Sequence, residues 1–545
     1  MSQPNDQKKN PPFRVTHFSL EILIELITES CVQKLCASKK SHIRYFHDYL
    51  KHIGASTILV EYDYTDRDFL EDYASYYIRC FFDYDRRCTR LHFFESVFEE
   101  TSFNELLSGA EDLDPGFFQD SYLGFMVLKS LPKTVIGRTC LNTYPKTDGR
   151  FFPIRRKYKV NLFGLKLYLE KALAFQEQDS VVAACATSAL WSAFHGAHRI
   201  FLNAIPSPVE ITKAATEKFP PDSRSFPNRG LDHYMMAHAI RTVSLEPFKL
   251  SAVDPCLLKG SIYGYLKAGI PTILGYHIYG NDSVSRGYVG THAVTVAGFS
   301  LSDEGLVPAD DKQIQLKAFR MNKIYVHDDQ IGPYARMCFD GESVSFHTGK
   351  STTKRVSLST EVLLEGDIAP TSRALPAILL IPLYHKIRIP FESVYACISG
   401  FDEYLRAMPE DIQLDLFNDL EWDIHLTTVN DLKSRFFEIR STFTNTSLIR
   451  KTLLDRMPKY IWRATCYDGD TPLLDLLFDA TDIEQGDYFL RCVDCSSELF
   501  AFLTFICANT TNIEGRYSCN LEWPILRWFR EQGLKQQVNL ALENA

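Results

Sequence analysis

Residues 178–191 read Gln-Asp-Ser-Val-Val-Ala-Ala-Cys-Ala-Thr-Ser-Ala-Leu-Trp, and from Ala186 onward apolar side chains recur at helical period. Ala186, Ala189, Leu190, Ala193, Phe194, Ala197 and Phe201 share one face of that helix. Ser188, Ser192, His195 and Arg199 share the other. Cys185 therefore stands at or near a helix N-terminus, where the helix dipole and free N–H groups favour a thiolate. Small neighbours at Ala183, Ala184 and Ala186 leave room for a substrate backbone. Taken alone, the segment fits equally a small buried thiol on an alanine-rich helix.

Downstream, Asp254-Pro255 opens a helix with Leu258, Ile262, Tyr265 and Leu266 on its apolar face, and Gly269 ends it. Ile270-Pro271 then leads into a buried strand over Thr272–Tyr279. His292 opens a further apolar strand, His-Ala-Val-Thr-Val-Ala-Gly-Phe, ending after Gly298. A histidine at a strand mouth can face a cleft while the strand fixes its ring; a core histidine bonded to backbone is the alternative. The run Lys323–Pro333 carries a strand end into Asp328-Asp329 and a Gly-Pro turn. Either acid could accept the imidazole N–H and set its tautomer, or the pair could cap its own turn.

This order, cysteine on a helix, histidine on a strand and aspartate at the end of the next, resembles the papain-like cysteine peptidases. The likeness is closest to the bacterial branch that includes bacteriocin-leader-processing domains. The matching residues are Gln178, Cys185 with Ala189-Leu190, Gly269-Ile270-Pro271, His292 with Gly298, and Asp328, over roughly residues 150–350. The resemblance implies a papain-like domain with Cys185 as nucleophile, His292 as base, Asp328 as the residue orienting it, and Gln178 as oxyanion donor. Gln178 stands seven residues before Cys185 and Asp179 six, which leaves the oxyanion donor open. Asp329 remains an alternative orienter. His277 and His327 are alternative bases if the strand register differs, and His195 and His198 have surface or packing roles.

At 545 residues the chain exceeds a single core. The expected class is α+β: a tail at 1–12, an N-terminal α+β region at 13–148, the papain-like domain at 149–385 and a C-terminal α/β region at 386–545. In the first region Ser41–His52 and Asp66–Tyr77 read as helices and Thr57–Tyr62 as a strand. Tyr122–Leu128 and Thr134–Leu141 read as a hairpin, and Tyr158–Leu169 as a strand-like approach to Cys185. Toward the C-terminus, Arg435–Met457 and Leu521–Asn544 are helix candidates, and Ile461–Cys466 and Leu473–Phe478 are extended segments.

A net charge of −9 gives no general pull toward nucleic acid, and Arg155–Lys157 and Lys350–Arg355 are only short basic runs. No stretch approaches the roughly 20 apolar residues of a membrane span, and the polar N-terminus is no signal peptide, so a cytoplasmic protein is expected. The 14 cysteines read as reduced thiols. Cys492-x-x-Cys495 has no second pair, and Cys507 and Cys519 fit no common zinc spacing. Neither cofactor nor metal is expected. The expected activity is cleavage of a peptide or isopeptide bond in a protein or peptide substrate, with partner proteins met through the flanking regions. Transglutaminase- or amidase-like acyl transfer on the same site, and an inactive interaction protein on the same fold, are the alternatives.

Overall fold

The computed structural model describes residues 11–31, 41–109, 114–147, 149–179, 181–218, 226, 230–279, 288–302, 314–340, 344–348, 351–360, 372–406, 420–442, 446–483, 487–495, 497–509 and 523–543. The expected tail up to Asn10, Lys350 of the short basic run and Cys519 lie outside them. The chain is mixed α+β with mainly antiparallel sheets, as its alternating patterns require. It divides into two compact units. The first comprises Met1–Pro255, Gly269–Leu301 and Asn322–Tyr384; the second comprises Cys256–Ala268, Ser302–Met321 and His385–Ala545.

The first unit holds two large sheets. One is an antiparallel meander of Phe13–His17, Thr57–Tyr64, Cys88–Phe94, Tyr122–Lys129 and Ile136–Leu141. All eight residues of Tyr122–Lys129 are buried, which explains why that strand reads as a near-continuous apolar run rather than an alternation. It pairs antiparallel with Ile136–Leu141, as the hairpin reading expects. The helices Ser41–His52 and Arg67–Ser75 also fall where the periodicity puts them.

The other sheet closes on itself. Thr272–Tyr279 pairs on one side with Tyr288–Leu301 and on the other with Ser372–Leu383. The circuit between them runs through Met321–Asp328, Gly332–Phe339 and Leu358–Thr360, with Glu246–Ser251 added outside Ser372–Leu383. Closure leaves Thr272–Tyr279 no free edge, so its backbone groups are satisfied on both sides. The helix Cys185–Phe201, hereafter the cysteine helix, packs against this sheet, and the Thr295 hydroxyl donates to the Ala189 carbonyl at 2.5 Å.

Three expectations are corrected. Tyr158–Leu169 is not one approach strand but a hairpin of Arg156–Leu162 and Leu165–Ala172. Phe163 and Gly164 turn it with φ of 48° and 99°, the left-handed backbone that a two-residue hairpin turn demands. The strand carrying His292 starts at Tyr288, so His292 lies inside it and is buried rather than standing at its mouth. Arg435–Met457 is not one helix: an α-helix over Val429–Glu438 ends at Ile439, a 3-10 turn follows over Arg440–Thr442, and a separate α-helix spans Thr446–Leu454.

Gly298 has a physical reason in this sheet. The short strand Arg150–Phe151 pairs with Phe299 and Ser300. A Cβ at position 298 would meet the Phe151 carbonyl oxygen at 2.7 Å and Phe152 Cδ1 at 2.6 Å. Gly298→Ala is expected to destabilise the protein by roughly 1–3 kcal/mol through this overpacking. A denaturant midpoint equal to that of the wild type would contradict the close approach.

The second unit is built on a sheet in which Gln315–Leu316 lies parallel to Leu420–Thr428. Tyr460–Asp468, Thr471–Asp479 and Phe489–Asp494 follow antiparallel. Trp422 and Trp462 are fully buried in it. On its polar side Asp423 accepts from Lys267 at 2.9 Å and from Tyr263 at 3.0 Å. Among the described residues no helix is long and apolar enough to cross a membrane.

Candidate active site

Cys185 is the first residue of its 17-residue helix, and Ala184 before it supplies no side-chain cap. The first-turn N–H groups thus have neither an intrahelical acceptor nor a capping oxygen, and the positive end of the dipole lies at the thiol. Cys185 is partly exposed, whereas most of the helix behind it is buried. The face carrying Ser188, Ser192 and His195 is buried along with the apolar one.

The strand Tyr288–Leu301 brings His292 to this helix end, with the Cys185 side chain within hydrogen-bonding reach of the ring. His292 Nε2 donates to Asp328 Oδ1 at 3.0 Å and lies 3.5 Å from Asp329 Oδ1. Asp328 ends its strand and also accepts the Gln330 N–H at 2.9 Å, so one oxygen both meets the ring and caps its own turn. Asp329 is fixed from the other side, where the His42 ring donates to its carbonyl at 2.9 Å. With Nε2 committed to the carboxylates, Nδ1 is the ring nitrogen left for a thiol proton.

Burial alone would push the His292 imidazole toward the neutral form, but the Asp328 and Asp329 carboxylates outweigh it and hold the ring's pKa well above its usual value. For Asp328 burial pulls upward, yet the facing imidazolium and the Gln330 N–H leave its carboxyl below the usual range. Asp329 goes the other way. Burial, reinforced by the neighbouring Asp328, pushes its carboxyl up to about 7. The two adjacent acids are thus shifted in opposite directions beside one ring.

The other histidines are placed elsewhere. Tyr276 is the cross-strand partner of His292, so His277, one residue on, faces the opposite side of the sheet. His327 lies where the register shifts between Val326 and Asp328; its Nδ1 donates to the Ala174 carbonyl at 3.2 Å, and burial pushes it down to about 3. His195 is a packing residue, but a buried one, stacked edge-on against Trp191 at 4.3 Å. His198 donates to the Asn203 carbonyl at 2.7 Å.

The loop ahead of Cys185 is held by Asp179, not by Gln178. Asp179 is buried and accepts from Tyr77 Oη at 2.6 and 2.7 Å and from the Val181 and Val182 N–H groups, with Lys129 Nζ 3.9 Å away. Its carboxylate is therefore consumed in shaping the loop. Gln178 is half-buried, and no polar contact joins it to Cys185 or His292 among the described residues. Tyr77→Phe removes the one O–H donor shared between the two oxygens of a buried carboxylate and is expected to cost roughly 1–3 kcal/mol. Unfolding in urea checks this, and an unchanged midpoint would show that Lys129 and the two N–H groups suffice.

Three contributors were invisible in the sequence. Tyr276 stacks edge-on against His292 at 5.6 Å and points its hydroxyl at Asp328 Oδ2, 3.4 Å away. Only the strand register identifies it, since nothing in Thr272–Tyr279 distinguishes this tyrosine from Tyr279. Tyr77 and Lys129 lie some 50 to 110 residues upstream, in a region whose sequence carries no chemical motif. No family model and no curated protein matches the chain.

Proposed function

We propose that this chain is a cysteine-nucleophile hydrolase that cleaves a peptide or isopeptide amide bond through a thioester acyl-enzyme, on a papain-like catalytic domain. One observation carries the reading. The buried His292 ring stands between a thiol at a helix N-terminus and an aspartate, and the three come from separate elements.

In this reading Nδ1 of His292 takes the Cys185 proton, and the sulfur attacks the substrate carbonyl. The carboxylate of Asp328 keeps the imidazolium stable and the ring oriented, as an acid behind a base does in other nucleophilic triads. The Cys185 N–H, unpaired within its helix, donates to the developing oxyanion, with Gln178 as the second donor. The imidazolium then returns its proton to the leaving amine, and water, deprotonated by the same ring, hydrolyses the thioester. No cofactor enters this sequence, and the substrate is a protein or peptide.

A peptide vinyl sulfone tests the proposal, because it reacts irreversibly with an activated thiolate. Peptide mapping should find the adduct on Cys185, and Cys185→Ala should abolish it. Adducts spread evenly over the exposed cysteines would sink the hydrolase reading.

A further inference from the structure

His292, Asp328 and Asp329 form a buried group of three metal-type ligands whose donor atoms all lie within 4.8 Å of one another. The Nε2–Oδ1 separations are 3.0 Å to Asp328 and 3.5 Å to Asp329. Ligand atoms held about 2.0–2.2 Å from a tetrahedral zinc lie roughly 3.3–3.6 Å apart, so small side-chain shifts would bring these atoms onto the edges of such a site. The second carboxylate is what a simple triad does not use. Asp329 is 3% exposed, and its Oδ2 is buried without a hydrogen-bond donor among the described residues. Orienting the ring needs one acceptor, and Asp328 supplies it.

We propose that a zinc-class divalent ion binds His292 Nε2 with the carboxylates of Asp328 and Asp329, and that this binding switches the Cys185 site off. The imidazole nitrogen selects zinc and its transition-metal neighbours over magnesium and calcium, which prefer all-oxygen shells. Three protein ligands leave a fourth position for water. Binding releases the Nε2 proton to solvent and leaves a neutral ring whose remaining proton sits on Nδ1. That remaining proton is too weakly acidic to pass to a leaving amine, and the ring has no free nitrogen to take one from water. Zinc thereby removes the proton shuttle without touching the thiol. This switching effect rests on the hydrolase reading; the metal site does not.

The full-length chain titrated with zinc chloride in a calorimeter tests the site, with circular dichroism confirming that each variant is folded. Asp329→Asn and His292→Gln should each weaken one binding event by roughly tenfold or more, and Cys185→Ser should retain it. The same zinc should slow addition of the peptide vinyl sulfone at Cys185 in the wild type by about tenfold or more, because that adduct takes its last proton from the imidazolium. Cobalt, used as a spectroscopic substitute, should give tetrahedral bands from this site with no thiolate charge-transfer band lost on Cys185→Ser. An isotherm unchanged by Asp329→Asn, or a site lost on Cys185→Ser, overturns the proposal. Unselective labelling of Cys185 would instead overturn the hydrolase reading and the switch, leaving the binding isotherms to decide the metal site.

Discussion

At pH 7 iodoacetamide is expected to alkylate Cys185 roughly 10- to 30-fold faster in the wild type than in His292→Ala, and faster than any other cysteine of the chain. A cysteine with no base beside it is only a few per cent thiolate at neutral pH, whereas one paired with an imidazolium is largely ionised. The lower intrinsic nucleophilicity of a stabilised thiolate takes back part of that gain, which sets the lower bound. The two rates should converge above about pH 9, where an ordinary thiol ionises unaided. On a turned-over substrate the same variant loses the proton shuttle as well, and kcat should fall by about 10²- to 10⁴-fold. Quench-flow alkylation followed by peptide mapping measures the first effect. Equal rates in the two proteins at pH 7 would mean that His292 does not activate the thiol.

The second large effect is expected at Asp328. Asp328→Asn keeps an acceptor for the Gln330 N–H, so the turn survives, but it removes the charge that faces Nε2 at 3.0 Å. We expect kcat/KM to fall by about 10²- to 10³-fold, against less than about tenfold for Asp329→Asn, whose carboxylate is 3.5 Å from the ring. If Asp329→Asn is the more damaging, Asp329 is the orienting acid. The pair also makes a pH-dependent contribution to stability. His292, raised in the fold, stabilises fully below about pH 6.5 and loses its share as pH rises through its folded value. Asp328, lowered in the fold, contributes above about pH 3.8 and loses its share as pH falls through its folded value. The stability gap between wild type and Asp328→Asn should therefore be widest between those limits. Denaturant titrations at pH 3, 5.5 and 9 measure it, and a gap independent of pH would contradict the ion pair.

Much of this arrangement was legible before any coordinates. The Ala-rich amphipathic run after Cys185, the Gly269 stop and the strand Thr272–Tyr279 are local patterns, and all three appear where periodicity and glycine chemistry put them. Gly269 has a φ of +78°, the left-handed backbone that ends the helix and favours glycine. The local patterns failed where a side chain's fate depends on distant partners. Nothing near Asp179 in the sequence announces that it organises the loop ahead of Cys185, through Tyr77 from the first sheet.

By itself, then, the sequence determined the α+β class, the helix that begins at Cys185, and the strands that carry His292 and Asp328, because helix starts, strand periods and turns are set by neighbours a few residues apart. Only the tertiary structure decided that Asp328 rather than Asp329 takes the hydrogen bond from His292, that Tyr276 stacks on that ring, and that Asp329 keeps an unused buried oxygen. Those outcomes follow from strand register and sheet closure. A shift of one residue would turn every side chain of the strand to its other face, and no local pattern records which register the closed sheet adopts.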